Sequence, residues 1–310
     1  MEERVGFIGL GIMGRPMAGH LLAAGLSLTV HSRSPGPVDE LVVAGALRVG
    51  SGAEVAAAST VVITMLPDTP DVEAVVLGAD GVSEGAAAGT LVIDMSTIDP
   101  SAARRIAAEL AERGSAMLDA PVSGGEKGAI DAALSIMIGG AAADVERARP
   151  LLELMGTTIV HVGPSGGGQV CKACNQLVVA STIEAVAEAI ALAERSGVDA
   201  AKVREALLGG FAGSKILEVH GKRMLDRVFE PGFRARLHAK DARIIRQAAT
   251  VVGMELPGFE PVARQLDALV AAGGGELDHA GLFTLLVDAR RSRHRRAAQG
   301  ARRPRVDRAG

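Results

Sequence analysis

In the run from Gly166 to Gln176, Lys172, Asn175 and Gln176 stand at i, i+3 and i+4, so on a helix they share one face. One lysine and two carboxamides on an otherwise apolar helix need an explanation, because a buried ammonium is costly unless paired. A desolvated lysine shifts its pKa and can give or take a proton at a substrate oxygen, which is what reduction of a carbonyl requires. The bland alternative is a lysine whose stem lies along the helix and whose head reaches water at the helix end. Cys171 and Cys174 flank it at a Cys-x-x-Cys spacing, but both fall in one helix and no second pair exists, so redox or metal use is not expected. The seven histidines show no metal-type spacing with one another or with an acid, and no metal is expected.

Three further stretches carry chemistry. Gly9, Gly11 and Gly14, with Leu10, Ile12 and Met13 between them, follow a β-like run and open a helical pattern. Glycines so placed permit a tight turn and a close backbone approach to a pyrophosphate, with a helix N-terminus facing the negative charge. The second strand ends in His31, Ser32, Arg33 and Ser34 without the acid that would hold ribose hydroxyls. Arg33, supported by Ser32 and Ser34, suits a 2′-phosphate, so NADP(H) is the expected cofactor and NAD(H) the alternative. Ser123, Gly124 and Gly125 close the stretch from Asp119 at the end of another strand, where backbone N–H groups freed of side chains make an anion pocket sized for a carboxylate. The competing reading is a plain glycine-rich turn. The segment Phe233 to Asp241 reads, by itself, as a basic helix start.

These residues need elements to hold them. Short β-branched runs at Val5–Ile8, Leu28–His31, Val61–Met65, Leu91–Asp94, Met117–Asp119, Leu134–Ile138 and Thr158–Val162 mostly alternate with helical patterns at 13–24, 70–77, 100–113 and 142–155. Strand–helix alternation predicts a parallel α/β sheet over residues 1–163. Thr69 before Pro70 and Asp99 before Pro100 read as helix caps. From Gln169 to Arg195 about 27 residues pass without Pro or Gly. That predicts a helix roughly 40 Å long. It is apolar nearly all round and so expected to be buried. Further helical patterns to Ala289, split by Gly and Pro, predict an all-α domain over 164–289. Residues 290–310 lack apolar periodicity and are expected to be disordered.

Composition narrows the class. The chain has 310 residues, 48% of them hydrophobic, with six Phe as its only aromatics and neither Trp nor Tyr. Few aromatics disfavour base stacking on single strands. The formal charge of −3 hides nine Arg against one Asp in residues 290–310, which leaves the rest at about −11. No nucleic-acid partner is expected from such a body; a cofactor-sensing nucleic-acid binder working through the tail is the remote alternative. The longest apolar stretch, 177–193, contains Ser181, Thr182, Glu184 and Glu188, so no membrane span is expected. Two cysteines and a start without leader features predict a cytoplasmic protein.

Taken together and in this order, these stretches resemble the β-hydroxyacid dehydrogenase family, from Val5 to about Leu286. The resemblance implies a Rossmann-type N-terminal domain, a long linking helix, an all-helical C-terminal domain, and a homodimer or homotetramer formed through the helical domains. It further implies Gly9 to Gly14 for the pyrophosphate, Leu66, Pro67, Thr97 and Lys240 at the cofactor, Ser123, Gly124 and Gly125 for a substrate carboxylate, Lys172 as catalytic acid/base, and Asn175 and Gln176 for substrate. The stretches 123–135 and 209–214 look most like the tartronate semialdehyde reductase branch, whose reaction reduces a small semialdehyde carboxylate to glycerate. 3-Hydroxyisobutyrate, succinic semialdehyde or glyoxylate chemistry is the alternative within the family. The pattern departs from the family at Ala132–Ala133, where Gly is usual.

Overall fold

The computed structural model describes residues 3–287. The segment 290–310, expected to be a disordered tail, lies outside the described residues. Contacts divide the chain into two compact units, one of residues 1–176 with 240–255, the other of 177–239 with the chain from 256 on. The boundary expected near residue 163 thus differs from this division by the head of the long helix and by one later segment.

The first unit holds a nine-stranded sheet. Its strands are β1 (Val5–Ile8), β2 (Leu28–His31), β3 (Leu47–Arg48), β4 (Val61–Thr64), β5 (Leu91–Asp94), β6 (Ala116–Asp119), β7 (Val122–Ser123), β8 (Leu134–Gly139) and β9 (Gly156–Gly163). The order is β3-β2-β1-β4-β5-β6-β8-β7, with β9 on β8. Helices α1 (Gly14–Ala23), α2 (Pro35–Val43), α3 (Gly52–Ala58), α4 (Thr69–Leu77), α5 (Val82–Gly85), α6 (Pro100–Glu112), α7 (Gly125–Ile130) and α8 (Ala142–Leu152) connect them. The side-chain period of two sorts the central strands between two cores: Val61, Ile63, Leu91 and Ile93 pack with α1, while Val62 and Val92 pack with Val72, Val76, Ile106 and Leu110.

From β3 to β6 the sheet is parallel, as the alternation predicts. Beyond β6 the expectation fails: β8 runs antiparallel to β6 and β7, and β9 parallel to β8. The cause is length. Between β7 and β8 the chain has only the six-residue α7 and its turns, too little for a crossover, so it must fold straight back. A second correction concerns a cap. Asp68, not Thr69, caps α4, and the Thr69 hydroxyl instead accepts the Asp99 N–H at 3.0 Å, while Asp99 caps α6 as expected.

Helix α9 (Gly167–Arg195) begins in the first unit and continues into the second. It is long and apolar enough to cross a membrane by composition, yet its buried polar groups meet protein partners. Gln169 bonds backbone at Ser96 and Ile98, and Gln265 donates to Glu184. The expectation of burial all round is not met, since Val178 and Leu192 are 60% and 67% exposed. The second unit continues with α10 (Ala200–Leu208), α11 (Lys215–Asp226), the start of α12 (Ala235–Val251), and α13 (Glu260–Leu269). The remainder of α12, from Lys240, belongs to the first unit.

Candidate active site

The strand ends of the first unit gather the residues singled out above. Gly9 takes φ +98°, and a Cβ at Gly14 would stand 1.9 Å from the Gly9 carbonyl oxygen, so these two glycines shape the turn and seat α1 on it. Gly11 faces open space instead. Leu10 is buried in the core, whereas Ile12 is exposed, and no side chain caps α1 behind Met13. Ser32 accepts the Leu10 N–H at 3.4 Å, tying the end of β2 to the turn. Arg33 is largely exposed, with Asp71 3.6 Å away, at the rim of a cavity of about 200 Å³ that Arg48 also lines.

Behind this turn, Ser96 fixes Leu66, which precedes Pro67, by accepting its N–H at 2.9 Å. Gln169 grips both sides of Thr97, accepting from Ile98 N–H at 3.0 Å and donating to the Ser96 carbonyl at 2.8 Å. Lys240 donates to the Thr97 carbonyl at 2.7 Å, so two residues 143 apart in the chain meet. Asp94, fully buried at the end of β5, is pushed up to about 6 by burial, against hydrogen bonds from Ser96 and Thr64. Burial likewise raises Asp119, although the N–H groups of Gly166 and Gln169 at the head of α9 hold its carboxylate at 2.7 and 2.9 Å.

Lys172 is buried, which disposes of the solvent-reaching alternative. Its Nζ donates to the Val122 carbonyl at 2.8 Å, placing the ammonium beside the Ser123–Gly125 turn. Burial lowers it to about 8; the Asp241 carboxylate opposes the shift and the Lys240 ammonium adds to it. Gly124 and Gly125 hold φ of +139° and +62°, conformations that suit glycine. Asn175 is half-buried and donates to the Gln176 carboxamide at 2.8 Å, and Gln176 donates to Asp241. Both ends of the Gln176 amide are therefore engaged with protein. Asp241 also pairs with Lys240 at 2.7 Å. Sequence reasoning missed Asp241, Gln169 and Arg48. Asp241 sits beside Lys240, but nothing local shows that it meets Gln176, 65 positions earlier.

A buried amine on α9 thus stands between a glycine turn and a carboxylate, beside a mostly parallel α/β sheet. Residues 4–163 match the family described as the NAD binding domain of 6-phosphogluconate dehydrogenase, and residues 166–286 match that described as NAD-binding of NADP-dependent 3-hydroxyisobutyrate dehydrogenase. 2-Hydroxy-3-oxopropionate reductase of Escherichia coli is 47% identical over 91% of this chain and 97% of its own. The chain belongs to the 3-hydroxyisobutyrate dehydrogenase-like family. NAD-dependent L-serine dehydrogenase of Pseudomonas aeruginosa is 42% identical over 82% of this chain and 88% of its own. A structure of Mycobacterium tuberculosis 3-hydroxyisobutyrate dehydrogenase with L-serine superposes with a TM-score of 0.84 at 34% identity, covering 92% of this chain and 99% of that one.

As a member of this family the protein is an oxidoreductase that uses a nicotinamide dinucleotide. The turn fits that group: the open face at Gly11 and the uncapped start of α1 leave backbone donors for a pyrophosphate. The family member also carries a cluster that spacing did not reveal. In the second unit, ligand-type atoms of His220, Asp278 and His279 lie within 4.8 Å of one another. Their contacts run in series. His238 Nδ1 is 3.0 Å from His279 Nδ1, His279 Nε2 is 3.2 Å from His220 Nε2, and His220 Nδ1 is 3.4 Å from an Asp278 oxygen. Each of the two linking rings uses opposite nitrogens, so the groups form a chain instead of converging on one point. Asp278 also accepts N–H groups of Gly232, Phe233 and Ala280 and lies 3.2 Å from Arg223.

Proposed function

We propose that the protein is an NADPH-dependent reductase of a small semialdehyde that carries a carboxylate, with tartronate semialdehyde, reduced to glycerate, as the substrate. The observation that carries this reading is the buried Lys172, lowered to about 8 and bonded to Val122 directly before the Ser123–Gly125 turn. In this reading the turn holds the substrate carboxylate through its backbone N–H groups and the Ser123 hydroxyl. Lys172 protonates the carbonyl oxygen as it becomes an alkoxide, and Asn175 helps to orient the substrate. Asp241, held by Gln176, supports the ammonium form of Lys172. The reduced nicotinamide supplies the hydride. Gly9 to Gly14, Leu66, Pro67, Thr97 and Lys240 cradle the cofactor in this assignment.

Preference for NADPH is supported by the absence of an acid at the end of β2 and by the two guanidinium groups, Arg33 and Arg48, at one cavity. A homo-oligomer formed through the helical region is supported by the exposed Val178 and Leu192 on α9. The cysteine usage supports a cytoplasmic setting.

The test is oxidation of NADPH, beside NADH, with tartronate, methylmalonate and succinic semialdehydes and glyoxylate, and reduction of NAD+ and NADP+ with L-serine. A lead for tartronate semialdehyde with NADPH supports the whole reading. A lead for another acid keeps the roles of Lys172 and the turn and moves the substrate. Inactivity across the panel in a folded protein that binds NADPH refutes it.

A further inference from the structure

Helix α7 carries Ser123–Gly125 at its leading end, and its trailing end is held by a residue outside the site. A helix leaves its last four carbonyls without intrahelical partners. In α7 these belong to Lys127, Gly128, Ala129 and Ile130. The N–H of Asp131 takes the first at 2.9 Å and that of Ala133 the second at 2.9 Å. The remaining two, of Ala129 and Ile130, lie 2.9 and 3.0 Å from a single atom, Nε2 of His20. Both partners are acceptors only, so His20 must carry its proton on Nε2. His20 stands in the last turn of α1, the helix that opens at the Gly9–Gly14 turn.

We propose that His20 is a positioning residue for the substrate turn: its bifurcated N–H bond fixes α7 against α1 and so sets where Ser123–Gly125 stands. This inference rests on the reading of that turn as the carboxylate site. Gly124 and Gly125, both at positive φ, make a pliant joint between β7 and α7. On its core side α7 meets the Leu134 side chain through glycines, a Cβ at Gly124 or Gly128 coming within 3.1 or 3.2 Å of it. Apolar contact of that kind is not directional. The two bonds from His20 are, and they fix both the rotation and the axial position of the helix. Neutral His20 with its proton on Nε2 and the imidazolium both donate there, so the clamp works in either protonation state.

The test uses the full-length enzyme with saturating NADPH and compares the preferred semialdehyde with glycolaldehyde, which has no carboxylate. For His20→Ala, KM for the semialdehyde is expected to rise about tenfold at pH 6, 7 and 8 alike, with kcat and the KM for NADPH within about twofold of the parent. kcat/KM for glycolaldehyde is expected to be unchanged. His20→Gln, which can donate to the same carbonyls, is expected to recover most of the loss. An unchanged KM in His20→Ala overturns the proposal, as does an equal loss on both aldehydes. Ser123→Ala separates this from failure of the underlying reading. If Ser123→Ala leaves the semialdehyde KM unaltered, the carboxylate site is misassigned, and amide exchange decides the clamp alone. Faster exchange over residues 124–131 in NADPH-bound His20→Ala sustains it, and parental exchange there overturns it.

Discussion

The proton on Lys172 gives the sharpest test of the site. An ordinary lysine titrates near 10.4, outside the range in which most enzymes are assayed. Here burial brings the group to about 8. Reduction needs the ammonium as acid and oxidation needs the free amine as base, so the two directions must respond to pH with opposite sign. With a value of about 8, roughly ten-elevenths of the enzyme holds the proton at pH 7 and one-eleventh at pH 9. kcat/KM for aldehyde reduction is therefore expected to fall about tenfold between those points, while kcat/KM for oxidation of the hydroxy acid rises by the same factor. Asp241 favours the charged form, so Asp241→Asn is expected to move both breaks to lower pH. Lys172→Met is expected to cost about 10²- to 10⁴-fold in kcat and to abolish the break. The measurement is steady-state turnover in both directions from pH 6 to 10, with folding of each variant checked by circular dichroism. A break near 10, or the same sign in both directions, refutes the assignment of Lys172 as the acid.

Three other outcomes follow from single observations. Ala132 holds φ +51°, in the left-handed region, so Ala132→Gly is expected to stabilise the protein by about 1 kcal/mol in urea denaturation. Burial, with the neighbouring His238, holds His279 well below its usual value, so the unfolded chain takes up that proton first as pH falls through about 6.5. Stability is then lost by up to about 1.4 kcal/mol per pH unit per proton, seen in melts between pH 7 and 5. His279→Gln should flatten that slope. Asp278, held below the usual carboxylate range by hydrogen bonds from His220 and the Ala280 N–H despite its burial, adds a further loss only below about pH 4. Arg33→Ala is expected to raise KM for NADPH about tenfold and to leave NADH nearly unaffected; equal effects on both cofactors, or none, would falsify its pairing with a 2′-phosphate.

Much of this molecule is written in short stretches of its sequence. The glycines at 9, 11 and 14, the β-branched runs and the Asp99–Pro100 cap act over a few residues, through backbone freedom and side-chain period, so the first strands, their helices and the glycine turn could be placed without coordinates. The same holds for the shared helix face of Lys172, Asn175 and Gln176. Strands of two residues, β3 and β7, carry no period to detect, and the reversal of β8 depends on a connection too short to cross over. The exposed stripe at Val178 and Leu192 was illegible for a related reason, because composition does not say which side of a helix its neighbours cover.

Sequence alone therefore determined which residue types stand where chemistry could occur, and tertiary structure decided what state they are in. Lys172 is an ordinary ammonium until chain 50 residues earlier and nearly 70 residues later closes over it. Gln176 meets Asp241, His20 meets α7, and residues from three separate stretches, His220, His238 and Asp278–His279, form the histidine chain only when the fold is complete. Desolvation and directional hydrogen bonds depend on neighbours in space, and no local window of sequence contains those neighbours.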